Sequence, residues 1–214
     1  MEYFLCGGGF GTKVKKTFNK YIGNQANILY IPIAMTSDKL CECEKWFTNE
    51  ISDYNANFYI VKSFEKIDKI NISKFSHIFI GGGNTYKLLS ELKKTTFFNK
   101  IKHFNGKLWG GSAGAIIFGK DINSCKYEDD NIVNLQNTDG ANTINDYSLI
   151  CHLNKESFER NKEYLKNYSI KYKTIFLSEE NIIYKKDENF KIIGDSPYII
   201  FEQGQYRIYN NKKN

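Results

Sequence analysis

Proline is nearly absent from this chain of 214 residues, with two, and histidine is scarce, with three. So few prolines leave no Pro-rich linker, and no Ser/Pro/Gly run parts the chain into halves, so residues 1–214 are expected to form a single domain. The scarcity of histidine narrows any imidazole base to His77, His103 or His152. Five cysteines form an odd set without framework spacing, which excludes a disulfide scaffold and suits a reducing cytosol. Cys41 and Cys43 make a C-x-C, but no companion Cys or His pair stands at zinc spacing, so no metal is expected. The opening Met1-Glu2 has no basic segment followed by a long apolar one, and no apolar run approaches a membrane span. A cytoplasmic protein without a membrane partner is the expectation. No repeat of fixed period is visible.

What is present begins with charge. Thirty Lys and Arg against 24 Asp and Glu give a net +6, spread along the chain. That reads as a solvated surface, not a nucleic-acid groove, which would need a clustered basic stripe. The nearest approach is the short Thr12-Lys13-Val14-Lys15-Lys16.

The pattern alternates. Strands are predicted near 2–6, 27–34, 57–62, 76–80, 106–110, 148–152 and 174–178. Helices are predicted near 11–22, 37–53, 84–94, 96–102, 113–119 and 155–168. Such alternation argues for an α/β fold with a mostly parallel sheet covered by helices on both faces. Two apolar pairs near the end, 181–184 with 190–193 and 198–201 with 206–209, read as two antiparallel hairpins forming a small second sheet. The irregular stretch from Asp121 to Asp146 reads as a flap beside the site or as a tolerated insertion.

Three glycine clusters fall at predicted strand ends. Gly110-Gly111-Ser112-Ala113-Gly114 follows Lys107-Leu108-Trp109 and precedes an apolar helix, the strand–turn–helix setting of a nucleophile elbow. The turn would lift the Ser112 hydroxyl clear of the strand, with the Ala113 N–H facing a developing oxyanion. Gly81-Gly82-Gly83-Asn84-Thr85 follows the strand of Ile78-Phe79-Ile80, and Asn84 or Thr85 can cap the helix beyond it. A second oxyanion donor would come from Gly82 or Gly83. Cys6-Gly7-Gly8-Gly9-Phe10-Gly11 makes a third loop on the same edge. No cluster completes G-x-G-x-x-G, and no Lys-Ser/Thr follows the glycines, so no nucleotide cofactor is expected.

The two motifs Gly81-Gly82-Gly83-Asn84-Thr85 and Gly111-Ser112-Ala113-Gly114-Ala115 together resemble the peptidase E (aspartyl dipeptidase) and cyanophycinase family of serine peptidases, over roughly residues 1 to 200. The resemblance implies a fold similar to class I glutamine amidotransferases, a Ser-His-Glu triad and a backbone oxyanion hole. Ser112 would be the nucleophile. The family places its histidine at a strand end before a helix with an arginine, which is the setting of His152. His77 begins a strand at the wrong end of the sheet, and His103 sits at a surface helix end. The family carries its acid after the next strand. Here Ser178-Glu179-Glu180-Asn181 leaves the register open between two glutamates, and Glu179 aligns better with the apolar pair downstream. The dipeptidase branch flanks this glutamate with proline and glycine, where this chain has Ser178 and Glu180. The resemblance implies a small peptide substrate, with N-terminal aspartate as one preference. Asn84 and Arg160 are the expected substrate contacts, although Arg160 is as readily a surface ion pair with Glu156 or Glu163. A hydrolase of another amide or ester, or a binding protein with an inert elbow, stands beside this reading. Either a monomer or a homodimer is compatible with the sequence.

Overall fold

A computed structural model describes residues 1–35 and 37–210. Five parallel strands form its centre: β1 (Glu2–Cys6), β2 (Ala26–Ile31), β3 (Ala56–Ile60), β4 (His77–Ile80) and β5 (Lys107–Gly111). They lie in the order β3-β2-β4-β5-β1. The helices between them are α1 (Thr12–Ile22), α2 (Leu40–Ile51), α3 (Thr85–Lys93) and α4 (Phe97–Ile101), and α5 (Ala113–Ile116) follows β5. Side chains alternate across each strand, so every strand feeds two cores. On one face Phe4, Phe79 and Trp109 pack with Phe18 of α1 and Phe47 of α2. On the other, Leu5, Ile78, Ile80 and Leu108 pack with Leu88, Leu89 and Leu92 of α3.

The C-terminal part differs from the sequence-based expectation. The first hairpin, β8 (Ile182–Lys186) with β9 (Asn189–Ile193), pairs antiparallel to β1 and extends the main sheet to seven strands. The second sheet has the order β11-β10-β7-β6. It joins β6 (Ser148–Ile150) and β7 (Thr174–Leu177), which are parallel, to the hairpin of β10 (Tyr198–Glu202) and β11 (Gln205–Tyr209). Only one of the two hairpins therefore belongs to it. The reason is burial. Ile182 and Ile183 of β8 contribute to the opposite cores of the main sheet, so β8 is sandwiched like its parallel neighbours. Ile199 and Phe201 of β10 instead pack with Ile150, Phe176 and Leu165 of α6 (Lys155–Tyr168) in a small core of their own.

Several predicted boundaries shorten for local reasons. Strand β2 stops at Ile31 because Pro32 has no N–H to donate to a ladder. Strand β6 stops at Ile150 because His152 turns to a positive φ of 62°. The helix predicted from residue 37 opens with a 3-10 turn, Ser37–Lys39, before α2.

Because β1, β4 and β5 run parallel, all three glycine loops leave the same edge of the sheet, where sites of open α/β sheets form.

Candidate active site

The chain leaves β5 through Ser112, whose φ of 51° and ψ of −116° are unusual for a residue with a side chain. Backbone of this kind is held by its surroundings at a cost on the order of 1–3 kcal/mol. The glycines around it show how. A Cβ on Gly114 would fall 2.3 Å from the Ile80 carbonyl oxygen, so α5 approaches the end of β4 too closely for any side chain there. The turn is locked by Ala115 and Ile116 N–H donating to the Ser112 carbonyl at 2.8 and 3.0 Å.

His152 is positioned from the second sheet. Its N–H donates to the Gly7 carbonyl at 3.0 Å. Its own carbonyl accepts from the Ser157 hydroxyl at 2.8 Å, and Asn154 and Ser157 form the capping box that opens α6. Two residues beyond β7, Glu179 sits in a tight turn closed by Asn181 N–H on the Ser178 carbonyl. Its side chain lies over Gly8, whose own Cβ would come within 2.8 Å of Glu179 Cβ.

These three elements bring Ser112, His152 and Glu179 into a row. Ser112 Oγ lies 2.8 Å from His152 Nε2, and His152 Nδ1 lies 2.8 Å from Glu179 Oε1. A carboxylate can only accept, so Nδ1 carries the proton and Nε2 accepts from the serine hydroxyl. The row is open to water at its far end, with the Glu179 side chain 66% exposed. Glu180 turns elsewhere. Its carboxylate accepts from the N–H groups of Lys13, at 2.6 Å, and Thr12, at 3.2 Å, at the start of α1. The segment is thus a turn in which the two glutamates point to different partners.

The other sequence-predicted residues are spread around Ser112. Gly82 adjoins it, since a Cβ there would be 3.4 Å from Ser112 Cβ. Gly83, at φ 129°, faces Ala34 instead. Ala113 is the first residue of α5. Asn84 caps α3 by accepting from Lys87 N–H, while its amide donates to the Asp130 carbonyl. Arg160 forms a fork with Glu128, with Nη2 2.8 Å from each carboxylate oxygen, and Glu156 lies 3.6 Å away. His77 is buried at the opposite end of β4, with Nδ1 2.9 Å from the Ser76 hydroxyl. Burial, and then the neighbouring Lys107, push its pKa down to about 4. His103 lines a surface depression at that same far end.

Two cavities flank Ser112. The larger, of about 440 Å³, is walled by Tyr30, Pro32, Met35, Trp46 and Phe79. The smaller, of about 210 Å³, lies against Glu128 and Asp129. Those two carboxylates come from the irregular segment after Asp121, and Asp129 is anchored by the Thr85 N–H and hydroxyl at 2.9 and 2.5 Å. The sequence signalled the segment but not the Glu128 fork. It gave no sign of the aromatic wall, because Trp46 and Tyr30 lie on elements read as plain scaffold. Cys151, next to His152, is no rival nucleophile, because complete burial pushes its thiol pKa well up. Among the described residues, no group of three or more His, Cys, Asp or Glu side chains is placed to hold a metal. No helix among them is long and apolar enough to cross a membrane.

Known proteins share sequence and fold with this chain. An uncharacterized peptidase of Listeria monocytogenes serovar 1/2a (strain ATCC BAA-679 / EGD-e) is 38% identical over 93 residues, which cover 41% of this chain and 45% of that protein. The match thus spans less than half of the relative's length. A crystal structure from Listeria monocytogenes EGD-e, of a protein provisionally named peptidase E, superposes with a TM-score of 0.75 at 23% identity, covering 91% of this chain and 98% of the other. At that identity the likeness concerns the fold. The profile of peptidase family S51 matches residues 4–193, nearly the whole of the described chain. The chain therefore belongs to peptidase family S51.

Proposed function

We propose that this peptidase hydrolyses small peptides through a triad of Ser112, His152 and Glu179. The observation that carries the reading is the unbroken row of two 2.8 Å contacts from Ser112 Oγ through the imidazole to Glu179. Ser112 Oγ attacks the scissile carbonyl while His152 Nε2 takes its proton. Glu179 holds the imidazole in the tautomer that can accept and then stabilises the imidazolium. The N–H groups of Ala113 and of the Gly82–Gly83 turn receive the oxyanion. His152 next returns the proton to the leaving amine, and water cleaves the acyl-enzyme by the same route.

Dipeptides with N-terminal aspartate are one substrate class that the family resemblance implies. Arg160 is the cation proposed for them from sequence, and its guanidinium is already engaged bidentately by Glu128. An aspartyl substrate using Arg160 would have to displace that carboxylate.

A fluorophosphonate that labels the wild-type protein at Ser112, but neither Ser112→Ala nor His152→Ala, tests the triad. Both variants should lose on the order of 10³-fold or more in peptide turnover. Hydrolysis near the wild-type rate by a clean Ser112→Ala preparation would end this reading.

A further inference from the structure

The larger cavity beside Ser112 has a chemistry of its own. Its floor is Tyr30 and Phe79, each only 2% exposed, and its side is Trp46 and Met35. The rings are fixed from behind. Tyr30 stacks on Phe47 at 4.0 Å between centroids and 12° between planes. Phe10 braces both Phe79, at 5.1 Å, and Trp46, at 5.8 Å. The box is therefore formed before any ligand arrives, which lowers the ordering cost of binding. The charged side chains of its rim, Lys39 and Glu42, are exposed and of opposite sign. No arginine lines either cavity that flanks Ser112 among the described residues. The smaller cavity presents Glu128, whose charge Arg160 offsets, and Asp129, which repels a carboxylate.

We infer that the larger cavity is a specificity pocket for a large apolar or aromatic side chain next to the scissile bond, so that the preferred substrates are apolar and not acidic peptides. The inference rests on Ser112 being the nucleophile. A cavity of about 150 Å³ already accepts a benzene ring, and this one offers about 440 Å³. An acidic side chain placed here would lose its hydration against aromatic faces with only an exposed lysine in compensation. A ring would exchange water for apolar contact on several sides. Discrimination by one methylene in an apolar pocket is about 10- to 200-fold, so a benzyl group should outrun a methyl group by at least about tenfold.

The test uses two fluorophosphonates that differ in one substituent on phosphorus, methyl or benzyl. Their second-order inactivation rates are compared on wild type, Cys43→Phe and Trp46→Ala. Cys43 lines the cavity, so Phe at 43 fills it, whereas Ala at 46 removes one wall. The wild-type protein should react at least about tenfold faster with the benzyl reagent. That ratio should fall toward one in Cys43→Phe and fall partway in Trp46→Ala. The ratio is read on one protein, so a partly misfolded sample lowers both rates and leaves it unchanged. Trp46 is already 37% exposed, so its truncation is the gentler change. Equal rates on wild type, with Ser112 labelled by both reagents, would overturn the pocket assignment and leave the triad standing. Failure of both reagents to label Ser112 would instead overturn the triad, and the pocket with it. A parallel panel of Phe-Ala, Ala-Phe, Ala-Ala and Asp-Ala should rank a phenylalanine dipeptide first. Asp-Ala ranking first, and dropping on Lys39→Ala, would show that the rim lysine and not the aromatic box selects the substrate.

Discussion

Substituting the two adjacent glutamates by glutamine should separate catalysis from stability. Glu179 Oε1 lies 2.8 Å from His152 Nδ1, so it faces the positive charge that the imidazole gains in the transition state. A unit pair at about 4 Å is worth roughly 1 kcal/mol in water and 4 kcal/mol at an effective dielectric near 20. With 66% of the Glu179 side chain exposed, the true value lies between these limits. Glutamine keeps an oxygen that can accept from Nδ1–H and loses only the charge. Glu179→Gln should then lower kcat by about 5- to 900-fold, with little change in Tm. Glu180 has the opposite profile. Its carboxylate satisfies two orphan N–H groups at the start of α1, at 2.6 and 3.2 Å, and meets the positive end of that helix. Glu180→Gln should cost about 0.5–2 kcal/mol of stability and leave kcat within a few-fold. The assay is peptide hydrolysis and thermal melting on both variants in one buffer. An inactive Glu180→Gln beside an active Glu179→Gln would refute the assignment of roles, and two fully active variants would remove the acid from this turn.

Gly114→Ala places a methyl 2.3 Å from the Ile80 carbonyl oxygen, so α5 must shift. A loss of about 1–3 kcal/mol in urea unfolding is expected, together with a marked fall in turnover, because Ser112 rides on that turn. His77 is held neutral, with a pKa near 4 against 6.5, so above pH 6.5 neither state carries its charge. As pH falls from 6.5 toward 4 the unfolded chain takes a proton that the folded one refuses, and at most about 3 kcal/mol of stability is lost. His77→Gln should flatten that slope in denaturation measured from pH 7 to 4, and an unchanged slope would assign the acid sensitivity elsewhere. His103→Ala should keep wild-type turnover, since His103 lies at the far end of the sheet from Ser112.

Most of the frame was legible because it is written in local signals. Apolar runs such as Ile28-Leu29-Tyr30-Ile31 mark strands buried on both faces, and glycines mark the ends where backbones must approach. The row of Ser112, His152 and Glu179 followed from residues at predicted strand ends. Here the family resemblance supplied what spacing could not, since nothing local distinguishes Glu179 from Glu180. The placement of β8 was illegible because a hairpin's sequence fixes its own pairing and not which strand it lies beside. Of the partners of Arg160, Glu156 was foreseen, whereas Glu128 was missed for a similar reason. Glu128 lies in an irregular segment without periodicity, and only the folded chain brings it across to α6. The aromatic wall needed three dimensions too, since Tyr30, Trp46 and Phe79 come from three separate elements.

The Gly7 backbone is bonded on both sides. Its N–H donates to the Asn181 carbonyl at 2.9 Å while its carbonyl accepts from His152 N–H at 3.0 Å. A Cβ there would lie 2.1 Å from the Ser178 carbonyl oxygen. This single residue of the first loop joins the sheet that carries Ser112 to the one that carries His152 and Glu179. Nucleophile and base therefore sit on two sheets whose relative position this joint helps to fix. Besides the five buried residues around Ile150 and Phe176 on one face, the small sheet sends Leu149, Ile175 and Leu177 of its other face into the main core. A local shift at the Gly7 joint, far short of global unfolding, is enough to part Ser112 from His152. Enzymatic activity should thus be a more sensitive gauge of denaturant than circular dichroism, disappearing while the parallel sheet is still intact.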